Sequence, residues 1–78
     1  MLLKDVRKGQ HLKIQRIEDA GVRTQLVRFG IGEGSTVRCH ERIPFGPIVV
    51  KRGRQEVAIG REIAKAIHVE LISITEPA

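Results

Sequence analysis

Aromatic residues are nearly absent from this 78-residue chain, which has no tryptophan, no tyrosine and two phenylalanines, Phe29 and Phe45. Its core must therefore be built from aliphatic side chains. The one cysteine, Cys39, cannot form a disulfide within the chain, so a disulfide-stabilised framework is excluded. The longest strictly aliphatic run, residues 48–50, is far shorter than the roughly 20 residues of a membrane-spanning helix. No apolar stretch at the start is long enough for a signal peptide, so we expect a cytoplasmic protein that does not insert into a membrane.

What the composition does contain is typical of one small globular domain. Hydrophobic residues make up 41% of the chain and charged residues 29%, which separates it from disordered tails. We expect residues 1–78 to form a single domain, which excludes a multidomain enzyme. The net charge of +5 permits attraction to nucleic acid, to an anionic membrane surface or to an acidic protein. It is equally compatible with a solvated surface that binds none of them.

Alternating apolar and polar residues predict strands in the first and last quarters of the chain. Leu12 and Ile14 alternate with polar residues at period two, and Ile17 breaks this parity, which indicates a bulge or a change of layer. Residues 68–74 resume the alternation after a second helix.

The stretch after the first strand predicts a short helix. Val22, Leu26 and Phe29 recur at i, i+4 and i+7, so we expect all three on its buried face. Gly30 stands where a left-handed residue ends a helix, and Ile31 can then pack back on Leu26 in a Schellman motif.

A second strand is predicted over residues 36–43, with Val37, Cys39 and Ile43 on its buried face. Glu41 falls on the apolar parity of this strand, which indicates a bulge or a frayed edge there. The opposite, solvated face is expected to carry Arg38, His40 and Arg42.

Two prolines interrupt the chain after this strand. Pro44 and Pro47 have no backbone amide to donate, so residues 44–47 cannot continue a paired strand. We expect a loop there with Phe45 at its tip.

The remaining segments predict a hairpin and a second helix. Residues 48–51 and 55–59 flank a turn centred on Gly53, which can adopt positive φ, and residues 61–66 form the helix. Five short strands with one apolar face are best buried by curling into a small barrel. The fold predicted from these patterns is therefore a small β-barrel with two short helices.

An ordered set of small motifs covers about residues 3–71. Each motif is weak alone, but their order and spacing together are specific. The motifs are Lys8-Gly9, Phe29-Gly30-Ile31 with Gly34, Pro44-Phe45-Gly46-Pro47, Gly53 before Val57-Ala58-Ile59, and Ala66-Ile67 with Val69. On these residues the chain resembles the FeoA family, small cytosolic components of bacterial ferrous iron uptake. It departs from the family pattern in the proline loop, because no residue separates Gly46 from Pro47 where many relatives have an aspartate.

The resemblance implies a mainly β fold, an SH3-like barrel of about five antiparallel strands with two short helices. It also implies a non-enzymatic accessory protein that binds and regulates the cytosolic, GTPase-bearing region of the FeoB membrane transporter of ferrous iron. The family is linked loosely with transition-metal handling, and this link is implied by kinship alone.

The residues that could bind a metal are three histidines and one cysteine. Cys39 and His40 are adjacent on a predicted strand, so their side chains point to opposite faces and cannot hold one ion together. His11 and His68 lie on other strands, without the close spacing typical of metal sites. We therefore expect surface histidines, a core cysteine, no metal site and no cofactor.

The sequence also offers no arrangement typical of catalysis. The turn of Gly32 and Gly34 lacks the further glycine and lysine of a phosphate-binding loop, and it precedes a strand instead of a helix. Cys39 has no evident base beside it. We therefore expect no catalytic residue and no enzyme activity.

Binding of nucleic-acid phosphates is the alternative function. The predicted basic strand face and the basic hairpin of Lys51, Arg52 and Arg54 could together contact a phosphate backbone. Small barrels that bind RNA usually offer exposed aromatic rings on which bases stack. With Phe29 assigned to the core, only Phe45 could stack, which argues against this function.

Contact with a protein partner is expected through Phe45, Arg52, Arg54 and Arg28. Phe45 lies between two prolines, so a rigid loop could present its ring as an anchor at small entropic cost. The alternative is that Phe45 folds back over an open end of the barrel and completes the core. The arginines could contact acidic groups of a GTPase domain, and an unpaired barrel edge could pair with a second copy of the chain.

Overall fold

The computed structural model describes residues 1–72, which form five β-strands, two α-helices and one short 3-10 helix. The strands are β1 (His11–Ile17), β2 (Thr36–Arg42), β3 (Ile48–Arg52), β4 (Gln55–Ile59) and β5 (Ile67–Ile72). The helices are the 3-10 helix Leu3–Asp5, α1 (Ala20–Arg28) and α2 (Arg61–Ala64). The predicted extension of the last strand to Ile74 lies outside the described residues.

All five strands pair antiparallel in one sheet, in the order β4-β3-β2-β1-β5. Strands β1 to β4 follow one another in the sheet in chain order, each paired with the next. Strand β5 returns to pair with β1, on the edge of β1 that faces away from β2. The outer edge of β5 contacts the start of the chain, since the Val69 amide donates to the Met1 carbonyl at 2.8 Å. The predicted mainly β fold with five antiparallel strands and two short helices is confirmed.

The core is aliphatic and receives side chains from every element. The sheet supplies most of it, while Leu3, Leu26 and Ala64 come from the 3-10 helix, α1 and α2. The completely buried large side chains are Leu3, Leu12, Ile14, Ile17, Ile31, Ile48, Ile67, Val6, Val50, Val69 and Cys39. Neither phenylalanine belongs to this core, and both rings lie at the surface.

Two β-bulges decide which residues of β1 and β2 face the core. In β1 the register against β5 shifts between Ile14 and Arg16, and this returns Ile17 to the buried face, as the broken parity predicted. In β2 the register against β3 shifts between Cys39 and Glu41, which confirms the predicted irregularity at Glu41.

The bulge in β2 corrects two predictions about that strand. Arg42 lies opposite the buried Ile48, and its Nη1 donates to the Val6 carbonyl at 2.9 Å, so it does not share a solvated face with Arg38. Ile43, predicted to be buried, is 43% exposed. Both errors have one cause, because an extra residue in a strand inverts the parity of all residues after it.

Helix α1 has a recognisable signal at each end. The Asp19 carboxylate accepts from the Val22 amide at 3.0 Å and caps the first turn. At the other end Gly30 has φ of 74°, its amide donates to Val27, and the Ile31 amide donates to Leu26 at 3.0 Å. These are the two bonds of the predicted Schellman motif.

The prediction that Phe29 is buried is wrong, since its side chain is 47% exposed. Phe29 is the C-terminal cap of α1, with ψ of 8°, and so it has left the helical path. Ile31 takes the buried position, at 1% exposure, because the Schellman turn carries the chain back over the core.

The β3–β4 hairpin forms as predicted, with Gly53 at φ of 60°. Helix α2 is shorter than the predicted 61–66, because it ends at Ala64 and β5 already begins at Ile67. None of the helices in residues 1–72 is long and apolar enough to cross a membrane.

Candidate partner-binding surfaces

The loop between β2 and β3 holds Phe45 fully in solvent. Its side chain is 100% exposed, and its φ of 58° is the only positive φ of a non-glycine residue in residues 1–72. The loop is closed below the ring, since the Ile43 amide donates to the Pro47 carbonyl at 3.2 Å. The alternative in which Phe45 covers an open end of the barrel is therefore wrong.

Close packing at the base of this loop restricts its shape. A Cβ on Gly46 would lie 2.8 Å from Cγ2 of Ile43, so a side chain at this position requires the loop to move. Arg61, at the start of α2, donates from Nη2 to the Ile43 carbonyl at 3.4 Å. The loop is thus tied to a neighbouring helix, which limits the conformations that Phe45 can adopt.

Arg28, Arg52 and Arg54 lie around the other end of β3. Arg52 donates from Nη1 to the carbonyl of Gly30, so it caps the C-terminal end of α1, where Arg28 is exposed. Arg54 is exposed in the β3–β4 hairpin. The structure therefore brings Arg28, Arg52 and Arg54 to one region through the contact between α1 and the hairpin.

Phe45 does not join this region. Phe45 precedes β3, whereas Arg52 ends this strand and Arg54 follows it, and the five residues of the strand span about 13 Å. The four predicted partner-binding residues therefore form two separate contacts, the loop with Phe45 and the region of the three arginines.

A basic groove crosses the outer face of the sheet beside this region. His11 on β1 lies opposite Arg38 on β2, and Arg38 lies opposite Lys51 on β3. The adjoining strand residues Leu12, Val37, Cys39 and Val50 are buried, so the side chains of His11, Arg38 and Lys51 share the outer face. The groove has a volume of about 260 Å³ and is lined by His11, Thr36, Val37, Arg38, Lys51, Arg52 and Gly53.

Sequence reasoning identified only part of this groove. It recognised the basic residues of β2 and of the hairpin, but it assigned no role to His11. A signal for it exists only in the register, because His11 and Arg38 are 27 positions apart and become neighbours when β1 pairs with β2. Strand pairs of this kind are set by the bulges and the connecting segment, which periodicity does not reveal.

His40 and Cys39 lie on opposite sides of β2, as their adjacency predicted. Nε2 of His40 is 3.4 Å from Oε1 of Glu56, and its Nδ1 is 3.4 Å from Nη2 of Arg38. Cys39 is completely buried, and its burial raises the pKa of the thiol above the ordinary value. This environment keeps the thiol protonated and unreactive at neutral pH.

His68 belongs to a small polar cluster that joins β5 to the end of β1. Its Nε2 lies 2.6 Å from Oε1 of Glu18, and Arg16 donates to the same oxygen at 2.8 Å. The hydrogen bond from His68 and then that from Arg16 hold the pKa of the Glu18 carboxyl below its ordinary value. In the described residues no three histidine, cysteine or acidic side chains are grouped so as to hold a metal ion.

Fold and surfaces together define a small SH3-like β-barrel domain whose notable features are an exposed aromatic loop and a basic outer face. The FeoA domain family matches residues 1–71. The chain therefore belongs to the FeoA family of small accessory proteins, and this membership implies a role in ferrous iron transport.

Solved structures of FeoA proteins have the same fold. One, described as the iron uptake regulatory protein FeoA, is 27% identical, with a TM-score of 0.82 over 92% of this chain and 97% of that one. Iron(II) transport protein A from Clostridium thermocellum is 28% identical, with a TM-score of 0.83 over 92% of this chain. This chain covers 46% of that protein, about half of its length.

A more distant structure agrees in fold alone. The FeoA protein from Chlorobium tepidum is 23% identical, with a TM-score of 0.83 over 97% of this chain and 74% of that one. A comparison with curated proteins gave no significant match.

Proposed function

We propose that this chain is a non-enzymatic accessory protein of ferrous iron uptake, which acts in the cytoplasm as a single domain of residues 1–78. Its partner is the cytosolic, GTPase-bearing region of a FeoB-type transporter, which it binds and regulates. Membership of the FeoA family supports the transport role. The contact itself is inferred from the surface of this chain.

The observation that carries the proposal is the exposure of Phe45. A fully exposed ring stabilises nothing in the free protein, and its backbone adopts a left-handed conformation that costs a non-glycine residue about 1 kcal/mol. Aromatic residues of this kind are enriched among the residues that contribute most to protein interfaces. Because the loop is held by Pro47 and Arg61, little conformational entropy is lost when the ring is buried against a partner.

Arg28 and Arg54 supply a second contact to acidic groups of the same partner. Both are exposed, and neither is within ion-pair distance of a carboxylate in residues 1–72. Arg52 is partly committed to the end of α1 through Gly30, so it contributes less to binding than the other two.

A pull-down of the soluble FeoB region tests the anchor. Tagged wild-type protein is expected to retain it, and Phe45→Ala is expected to lose at least nine-tenths of it, since a buried aromatic anchor contributes about 2 kcal/mol or more. The melting temperature of Phe45→Ala should equal that of the wild type, because its ring makes no contact in the core.

Phe29→Ala is the matched control. It removes the other exposed phenylalanine, at the opposite end of β3, and is expected to retain the FeoB region. Equal loss in both variants would contradict a specific anchor at Phe45. Loss in Phe29→Ala alone would move the anchor to the end of α1.

Binding of nucleic-acid phosphates stays the alternative, and one observation favours it. Phe29 is exposed beside Arg28, so an aromatic ring is available next to basic residues, contrary to the sequence-based expectation. Affinity for an oligonucleotide that falls linearly with the logarithm of salt concentration, with copurifying RNA or DNA and no FeoB region, would support this function over the adaptor.

A further inference from the structure

The row of basic residues across the sheet has no acidic partner within the described residues. His11, Arg38 and Lys51 lie opposite one another on three adjacent strands. In residues 1–72 no carboxylate lies within 4.0 Å of a basic nitrogen of any of the three, although six ion pairs form between other residues.

The nearest acidic residue in the row is engaged elsewhere. Glu56 on β4 lies opposite Lys51, but its Oε1 contacts Nε2 of His40 at 3.4 Å. Arg38 and Lys51, directly opposite each other, therefore repel, which is unfavourable for a cross-strand pair of like charge. An anion bound between them would remove this repulsion.

The dimensions of the groove limit the length of that anion. Three adjacent strands span about 10 Å between the outer two, which accommodates two or three carboxylates of an extended peptide. Glu56 closes the row on the β4 side and Ile72 on the β5 side, so a long phosphate backbone crossing the sheet would meet a like charge. The lining residues include no phenylalanine, tyrosine or tryptophan, the side chains on which bases usually stack. A short acidic peptide fits these features better than a nucleic acid does.

We propose that this basic groove binds a short acidic segment of the partner protein. The inference rests on the proposed function and deepens it by naming the chemistry of the partner's contact. Thr36 and the backbone of Gly53, at the edge of the groove, supply further hydrogen-bonding groups beside the basic side chains.

Titration with a hexaglutamate peptide, followed by amide chemical shifts, tests the groove without any FeoB protein. Saturable shifts are expected at His11, Thr36, Lys51 and Gly53. The double variant Arg38→Gln/Lys51→Gln is expected to bind the peptide at least tenfold more weakly. It should also melt at a slightly higher temperature, because the repulsion is gone.

The matched control is Lys4→Gln/Lys65→Gln, which lowers the net charge by the same two units at the 3-10 helix and at the end of α2, which contribute no residue to the groove. Its affinity for hexaglutamate should stay within twofold of the wild type. Equal weakening in both double variants would overturn the groove, since general charge attraction would then explain binding. Binding of inorganic phosphate or of a 12-nucleotide single strand, with none of hexaglutamate, would overturn it as well.

The two proposals fail in different ways. If wild-type protein does not retain the FeoB region, the proposed function fails, whatever the peptide does. If wild type and Arg38→Gln/Lys51→Gln retain the FeoB region equally, the groove is not part of that contact, and the role of Phe45 is unaffected.

Discussion

Phe45 combines an exposed side chain with an unfavourable backbone conformation, and the two features have separate consequences for stability. The ring makes no core contact, so its removal should cost the folded state little. The φ of 58° disfavours every residue that has a Cβ, and alanine is disfavoured as much as phenylalanine. Glycine would relieve this conformation most fully, because it has no Cβ.

A pair of substitutions at Phe45 separates these effects. Phe45→Ala should change the free energy of unfolding by less than about 0.5 kcal/mol. Phe45→Gly should raise it by about 0.5 kcal/mol, because relief of the left-handed conformation outweighs the added entropy of the unfolded chain. Urea unfolding of the two variants beside the wild type measures both changes. A loss of more than about 1 kcal/mol in Phe45→Ala would show that the ring packs on the protein after all.

At the scale of elements, the end of α1 connects a helix to a distant hairpin. Gly30 ends the helix with φ of 74°, and its carbonyl accepts from Arg52 of β3. A Cβ at this position would lie 3.1 Å from Nη1 of Arg52. Gly30 therefore forms the turn that ends α1 and also accepts the hydrogen bond from Arg52.

Gly30→Ala should lower the free energy of unfolding by about 1–2 kcal/mol, since alanine is disfavoured at positive φ and its Cβ crowds Arg52. Gly32→Ala, two residues on, is the control. No atom lies within 4 Å of the added Cβ there, so a change of less than about 0.5 kcal/mol is expected. Thermal and urea unfolding both report the difference, and equal effects at the two positions would refute the role of Gly30.

Element types were predictable from the sequence, because glycine, proline and period-two patterns are local signals. The bulge at Glu41 was visible as a misfit in the same way. The effect of this bulge on Arg42 could not be predicted, because the inverted parity becomes evident only when Ile48 is known to lie opposite Arg42. The basic groove and the separation of Phe45 from the arginines also depend on strand register and on which end of β3 each segment meets.

At the scale of the whole molecule, a polar cluster joins the last strand to the first half of the chain. His68 on β5 and Arg16 on β1 both bond to Glu18, which lies between β1 and α1. β5 is an edge strand of the sheet, so contacts of this kind help to hold it on β1. Because Glu18 is at the surface, solvent and salt weaken the contribution.

The lowered pKa of Glu18 predicts how stability responds to acid. A carboxyl whose pKa is lower in the folded than in the unfolded state stabilises the fold above its unfolded pKa. This contribution is lost as the pH falls through the folded pKa, because the folded state must then take up the proton. Wild-type protein should therefore lose more stability between about pH 5 and pH 3 than Glu18→Gln, which has no carboxyl to protonate. Glu62→Gln, which removes one carboxyl from α2, is the matched control for the loss of a negative charge. Urea unfolding at several pH values measures the slopes, and a Glu18→Gln profile as steep as that of the wild type would contradict the contribution of the ionised Glu18 carboxyl to stability.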